Sequence, residues 1–211
     1  LRRLTRTFAP GCALSGGTSL MNIKIRLTVM NFLQFAVWGA YLTSMGTFLA
    51  GAGLAEKIGL FYAAQGFVSL FMPAIIGIVA DRWIPAQKLL GICHLLAAAG
   101  MAGAAYFGSL PQVSFAAVFG LYTFSVAFYM PTIALSNSVA YTALRQGGFN
   151  TVSAFPPIRV FGTVGFICAM LTSNFTGFQN TYVQWYFSAV LGLILGVYCF
   201  CLLYTSPSPR D

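Results

Sequence analysis

The residue best placed to do chemistry is Arg159, in the stretch Phe155-Pro156-Pro157-Ile158-Arg159-Val160-Phe161-Gly162-Thr163. A polar break begins at Thr172, and a helix needs about 20 residues to cross a bilayer core, so the helix ending there should begin near Ser153. A start at Ile158 would leave about 15 residues, ~22 Å, too short to span. Arg159 therefore sits roughly two turns inside. An arginine at that depth either snorkels to the headgroups or faces a water-filled cavity. Thr163 at i+4 and Phe166 at i+7 share its helix face. A cation, a hydroxyl and an aromatic ring on one stripe suit a polar ligand with a flat apolar part. Pro156 and Pro157 are expected close to the helix start, where proline is tolerated and stiffens the backbone.

A second polar stripe is formed by Asn31, Gln34, Trp38 and Tyr41, at i, i+3, i+7 and i+10. Buried amides either hydrogen-bond neighbouring helices or line a cavity, and Gln34, Trp38 and Tyr41 are candidates for the latter. Tyr129, Thr132, Ser136 and Asn137 form a looser cluster beside Pro131. Helix–helix bonding is expected there, with Asn137 a possible cavity residue. His94, the single histidine, lies in an apolar run and reads as a packing or hydrogen-bonding residue. The five cysteines have no metal or redox spacing, so no metal, cofactor or catalytic group is expected.

The elements that must hold these residues follow from composition. Hydrophobic residues make up 58% of the 211 and charged residues only 7%, against about a quarter charged in a soluble domain. A soluble protein of this size could not cover its surface so. The net charge of +8 is spread thinly through apolar runs, without the basic stripe that nucleic-acid binding needs. Turn and charge signals divide the chain into six spans, at about 27–49, 58–80, 89–108, 113–141, 153–171 and 182–201. The predicted fold is an all-α integral membrane bundle of six transmembrane helices. Residues 1–20 precede a natural-looking start at Met21 and carry Arg2, Arg3 and Arg6, so they read as a non-native upstream segment. Residues 202–211 break off the last helix abruptly and read as an artefactual tail. Between them, 21–200 holds seven basic and two acidic residues, a net +5.

The loops orient the bundle. Lys24, Arg26, Arg82, Lys88 and Arg145 fall on the N-terminal side and only Lys57 on the other. That side is therefore expected in the cytoplasm. Glycine pairs such as Gly162 and Gly165, or Gly192 and Gly196, allow close helix approach in lipid.

The second loop carries Gly77-Ile78-Val79-Ala80-Asp81-Arg82, with Lys88 further on. This resembles the cytoplasmic loop motif of the major facilitator superfamily, departing from it at Val79 and at Trp83-Ile84-Pro85. A carboxylate beside a helix end and cations could latch one conformation of a bundle; otherwise the charges only mark topology. Further stretches narrow the likeness: Phe32-Leu33-Gln34-Phe35 with Trp38-Gly39, Phe71-Met72-Pro73-Ala74, and Ile92-Cys93-His94. To these are added Tyr129-Met130-Pro131-Thr132 with Asn137 and Tyr141, and Phe155 to Arg159 with Gly162 to Phe166. In this order they resemble the nucleoside:proton symporters of that superfamily, from about Met21 to Phe200.

The resemblance implies a twelve-helix transporter of two six-helix halves, of which this chain is the N-terminal one, taking up nucleosides with protons across a bacterial inner membrane. It implies that Arg159, Thr163 and Phe166 line the nucleoside site, and that Gly77, Asp81, Arg82 and Lys88 belong to a conformational-switch loop. No Asp or Glu lies inside the six spans, so the acid that carries the proton is expected in the missing C-terminal half, and this chain alone should not transport. Alternatives are a facilitator for another polar solute such as a sugar, and a structural membrane subunit. An integral-membrane enzyme would need a catalytic cluster that one histidine and the two carboxylates of 21–200 cannot supply.

Overall fold

The computed structural model describes the backbone of residues 13–203 and the side chains of 23–200. The expectations for 1–20 and 202–211 fall largely outside these described residues. The chain is helical: α1 (Ala13–Gly39), α2 (Met45–Gly51), α3 (Ile58–Arg82), α4 (Ala86–Gly108), α5 (Phe115–Gln146), α6 (Thr151–Phe175) and α7 (Val183–Leu203). Single 3-10 turns at Ala55–Lys57 and Phe178–Asn180 precede α3 and α7. Among the described residues, five segments are long and apolar enough to cross a membrane: α3 with its leading turn, α4, α5, α6 and Val183–Phe200 of α7.

The first expected span, 27–49, is two helices with a bend at residues 40–44 rather than one helix. Its cause lies far away in sequence. In a regular helix the carbonyl of Val37 would accept from the amide of Tyr41, and that of Ala40 from Ser44. Instead Ser188 of α7 donates its hydroxyl to Val37 O at 2.8 Å, and Ser173 of α6 donates to Ala40 O at 2.7 Å. The amides of Tyr41 and Ser44 fall back on i−3 carbonyls, at 3.4 and 3.1 Å. Side chains inserted into the hydrogen-bond ladder are a recognised cause of helix bends.

α1 packs against α6 and α7, α4 against α5 and α7, and α3 against α5. Two apolar cores result. One joins Leu27, Met30, Leu90, Leu144 and Leu195 at the end where α1 begins; the other joins Tyr41, Met45, Phe61, Tyr122 and Trp185 at the opposite end. Close helix approach rests on glycine. A Cβ on Gly39 would collide with the backbone carbonyl of Phe166, and one on Gly165 with that of Phe32. The backbones of α1 and α6 therefore touch in two places, the close approach that small residues permit in lipid.

α3 stands apart. Only Phe61 and Ile76 of its residues are buried, while Phe67 and Leu70 are about 70% exposed (68% and 71%). A Cβ at Gly59, Gly66 or Gly77 would meet nothing. These three lie seven and eleven residues apart and so share one face.

Candidate functional site

α6 begins at Thr151, two residues before the expected start, because Asn150 caps it: its side chain accepts from the Val152 amide at 3.0 Å. Gly148, at φ +75°, makes the left-handed turn that brings the chain round from α5. The earlier start moves Pro156 and Pro157 into the second turn, beyond the tolerant first turn. They leave the carbonyls of Val152 and Ser153 without an i+4 donor. Both residues are exposed, so water or headgroups can serve those carbonyls.

Arg159 lies eight residues beyond the helix start, about 12 Å along it. It is half-buried, and with Phe155, Pro156, Val160 and Thr163 it lines an open groove. Thr163 is exposed on that groove. Phe166, one turn further, is half-buried and is not part of the groove wall; its ring meets Trp38 edge to face at 6.1 Å between centroids. Trp38 in turn leans on Tyr129 at 6.3 Å. Arg159 and Thr163 are thus brought together, and Phe166 is held beside them by an aromatic stack rising from α1.

The α1 stripe divides. Gln34 is fully buried: its Nε2 donates to Thr132 Oγ1 at 2.7 Å, and its Oε1 lies 2.8 Å from His94 Nε2. Thr132 spends its own proton on the Tyr129 carbonyl, at 2.5 Å. That fixes the Gln34 amide as donor to Thr132, so His94 Nε2 must be the protonated nitrogen. Tyr129 completes the cluster by donating to the Gln34 backbone carbonyl at 2.6 Å. One amide thus ties α1 to α4 and α5. Tyr41 is also enclosed, and its hydroxyl and His94 Nδ1 both lack partners while bordering a small cavity of about 10 Å³. Asn31 donates to Leu27 O at 3.1 Å within its own helix. Of the four possible cavity-lining residues, Gln34 and Tyr41 lie inside the bundle, while Trp38 and Asn137 are half-buried, each with one buried polar atom lacking a partner.

The loop residues sit where α3 turns into α4. Asp81 and Arg82 end α3, Lys88 lies in the first turn of α4, and all three are exposed. Among the described residues none of the three makes an ion pair. The basic ends gather: Lys24 lies over the Phe149 ring at 4.4 Å, Tyr198 donates to Arg26 O at 3.2 Å, and Gln87 donates to Cys199 O at 3.1 Å. The start of α1, the end of α7, the start of α4 and the α5–α6 turn therefore share one end of the bundle.

One residue of the site escaped sequence reading. Phe35, 6% exposed, lies with its ring beneath the Arg159 guanidinium, Cζ 3.9 Å from the ring centroid. An aromatic one position from Gln34 in an apolar run carries no mark that sets it apart from packing residues.

Residues 21–211 match the family model described as nucleoside H+ symporter. The chain is 38% identical over 184 residues to xanthosine permease of Escherichia coli and 37% identical over 188 residues to nucleoside permease NupG of the same organism. Each alignment covers 86% of this chain and 43% of the relative. It is also 32% identical to the putative nucleoside transporter YegT of E. coli, over 89% of this chain and 44% of that protein. The chain thus spans less than half the length of these relatives. A crystal structure of NupG superposes with a TM-score of 0.77 at 36% identity, covering 86% of this chain and 44% of that one.

Proposed function

We propose that this chain, which belongs to the nucleoside H+ symporter family, forms the N-terminal six-helix half of a twelve-helix major facilitator transporter that takes up nucleosides with protons. The family match, the 43% share of relatives described as permeases, and the all-helical bundle support that reading. In it, α1 and α2 together make the first membrane crossing and α3 to α7 the other five. The rest of the transporter covers part of the bare face of α3 and completes the groove on α6.

The observation that carries the reading is the juxtaposition of Arg159 and Thr163 on one open groove, with Phe166 braced beside them by Trp38. The guanidinium donates to ribose hydroxyls or base acceptors, the threonine hydroxyl adds a second polar contact, and the Phe166 ring stacks on the base. Stacking of that kind contributes ~1–3 kcal/mol. The two acids among the described residues, Glu56 and Asp81, stand at the two ends of the α3 segment and neither lies in its apolar length, so the coupling proton is carried by a carboxylate outside this chain. Trp38 and Asn137 border the path of the substrate rather than its polar contacts. At the α3–α4 turn, Gly77, Asp81, Arg82 and Lys88 form a switch that engages the other half, which accounts for an exposed carboxylate and a bare glycine there. The end holding Lys24, Arg26, Arg82, Lys88 and Arg145 faces the cytoplasm of a bacterial inner membrane, as the basic bias demands.

The test is direct binding of uridine or adenosine to the purified full-length protein. Arg159→Ala removes charge-assisted hydrogen bonds of about 1.5–3 kcal/mol, and should weaken binding tenfold or more, on the order of 1.4 kcal/mol per decade. Arg159→Lys should rescue it only in part, since a point charge cannot reproduce a planar fork. Wild-type affinity in Arg159→Ala would make Arg159 a snorkelling residue and sink the site.

A further inference from the structure

Phe35 faces α6 from near the C-terminal end of α1, and the guanidinium of Arg159 covers it at 3.9 Å from Cζ to centroid. This is well inside the range of about 6 Å over which a cation is attracted to a ring face. Gly162 makes the contact possible. A Cβ at that position would fall 2.7 Å from Phe35 Cδ2 and 2.8 Å from Arg159 Nη1. Ring and guanidinium therefore share the space that a side chain at 162 would otherwise fill.

The ring is itself held firmly. The preceding residue, Gln34, is tied to α4 and α5, and the α1 and α6 backbones meet at Gly39 and Gly165 on either side. Arg159 has no hydrogen bond or ion pair of its own among the described residues, so the ring is the contact that sets where its charge lies.

From this we infer that Phe35 is a positioning residue for nucleoside binding: its face holds the Arg159 guanidinium against α1, leaving the edge donors free toward the groove. The inference rests on the reading that Arg159 binds the substrate. A guanidinium donates in its own plane, so a ring on one face does not compete with hydrogen bonds at the edge. A long, flexible side chain would otherwise lose rotamer freedom on each binding event, and the ring removes part of that loss beforehand.

The experiment is uridine binding by calorimetry to the purified full-length protein, with fluorinated phenylalanines incorporated at position 35. Stepwise fluorination withdraws charge from the ring face with little change of shape, so a variant that fails to fold does not obscure the result. Affinity should fall with each fluorine, and Phe35→Leu should weaken binding about five- to thirty-fold, while Phe35→Tyr should stay near wild type. In an Arg159→Gln background, Phe35→Leu should cost little more. An affinity indifferent to fluorination, or an equal loss from Phe35→Leu with and without the arginine, would overturn the positioning role and make Phe35 a packing residue. Should Arg159→Ala weaken binding in the same series, the nucleoside site would stand without Phe35. If it does not, the site assignment fails and this inference fails with it.

Discussion

Gln34→Leu tests whether the buried amide holds the bundle together. The substitution keeps the volume of the side chain but removes the bonds to His94 and Thr132, at 2.8 and 2.7 Å. Thr132 loses only an accepted bond, since it still donates to the Tyr129 carbonyl. The His94 ring, fully buried, loses the only hydrogen bond it makes among the described residues, and its Nδ1 has no partner already. Interhelical hydrogen bonds in membranes average ~0.6 kcal/mol and reach ~1.7, so two contribute roughly 1–3 kcal/mol. Stranding the imidazole N–H adds about 1–3 kcal/mol. We expect Gln34→Leu to destabilise the protein by about 2–6 kcal/mol, on those same figures. Adding His94→Leu removes the stranded group, so the double variant should regain at least ~1 kcal/mol over Gln34→Leu alone. Reversible unfolding of the full-length protein in mixed micelles, measured for both singles and the double, gives the coupling directly. Additive losses would refute the reasoning, because they would mean that the two side chains act independently.

Gly165→Ala and Gly39→Ala should each lower stability by about 1–3 kcal/mol through overpacking and weaken nucleoside binding by displacing α6. Gly192→Ala, whose Cβ would rest 3.4 Å from that of Ala98, should be near neutral in the same melts. Phe166→Ala should lose the stacking contribution of ~1–3 kcal/mol, with Phe166→Tyr or Phe166→Trp keeping most of it in uridine titrations. Asp81→Asn should slow uptake at equal expression without reducing insertion; unchanged uptake would leave Asp81 a mark of topology. A cysteine at position 145 should resist an impermeant thiol reagent added outside intact cells, and labelling there would reverse the orientation.

What the sequence reveals here depends on whether the cause is local. Apolar runs bounded by Glu56-Lys57, Asp81-Arg82, Ser109 to Gln112 and Arg145 to Gly148 disclose helices, because length and charge act where they stand. The meeting of Arg159 and Thr163 on one groove was legible for the same reason, as helical spacing puts them on one face, whereas Phe166, at the same spacing, leaves the groove wall to pack on Trp38. The bend at residues 40–44 was not legible: nothing in Ala40 to Ser44 breaks a helix, and the hydroxyls that do so sit at 173 and 188. The α6 start shifted by two residues because the Asn150 cap outweighs an estimate made from bilayer thickness. Gln34 announced itself as a polar residue in an apolar run, but its partners His94 and Thr132 come from two other helices. Phe35 fell inside a stretch that carries the family likeness, but nothing local marked it as a site residue, since its contact with Arg159 depends on a glycine at 162 that leaves room for it.

The bend in α1 also fixes an order of events during biosynthesis. Val37 and Ala40 surrender their carbonyls to hydroxyls that lie 151 and 133 residues later in the chain. At a ribosomal pace of about 5–20 residues per second, those hydroxyls emerge roughly 7–30 s after the helix they bend. Until then the carbonyls can be satisfied only within α1 itself, as an apolar medium requires. On the proposed six-span reading, the first helix therefore enters the bilayer straight and is bent from outside once α6 and α7 arrive. Mutations at Ser173 or Ser188 would then act on a newborn helix half a minute old, and would be read out as misassembly of the amino-terminal segment rather than as damage to their own.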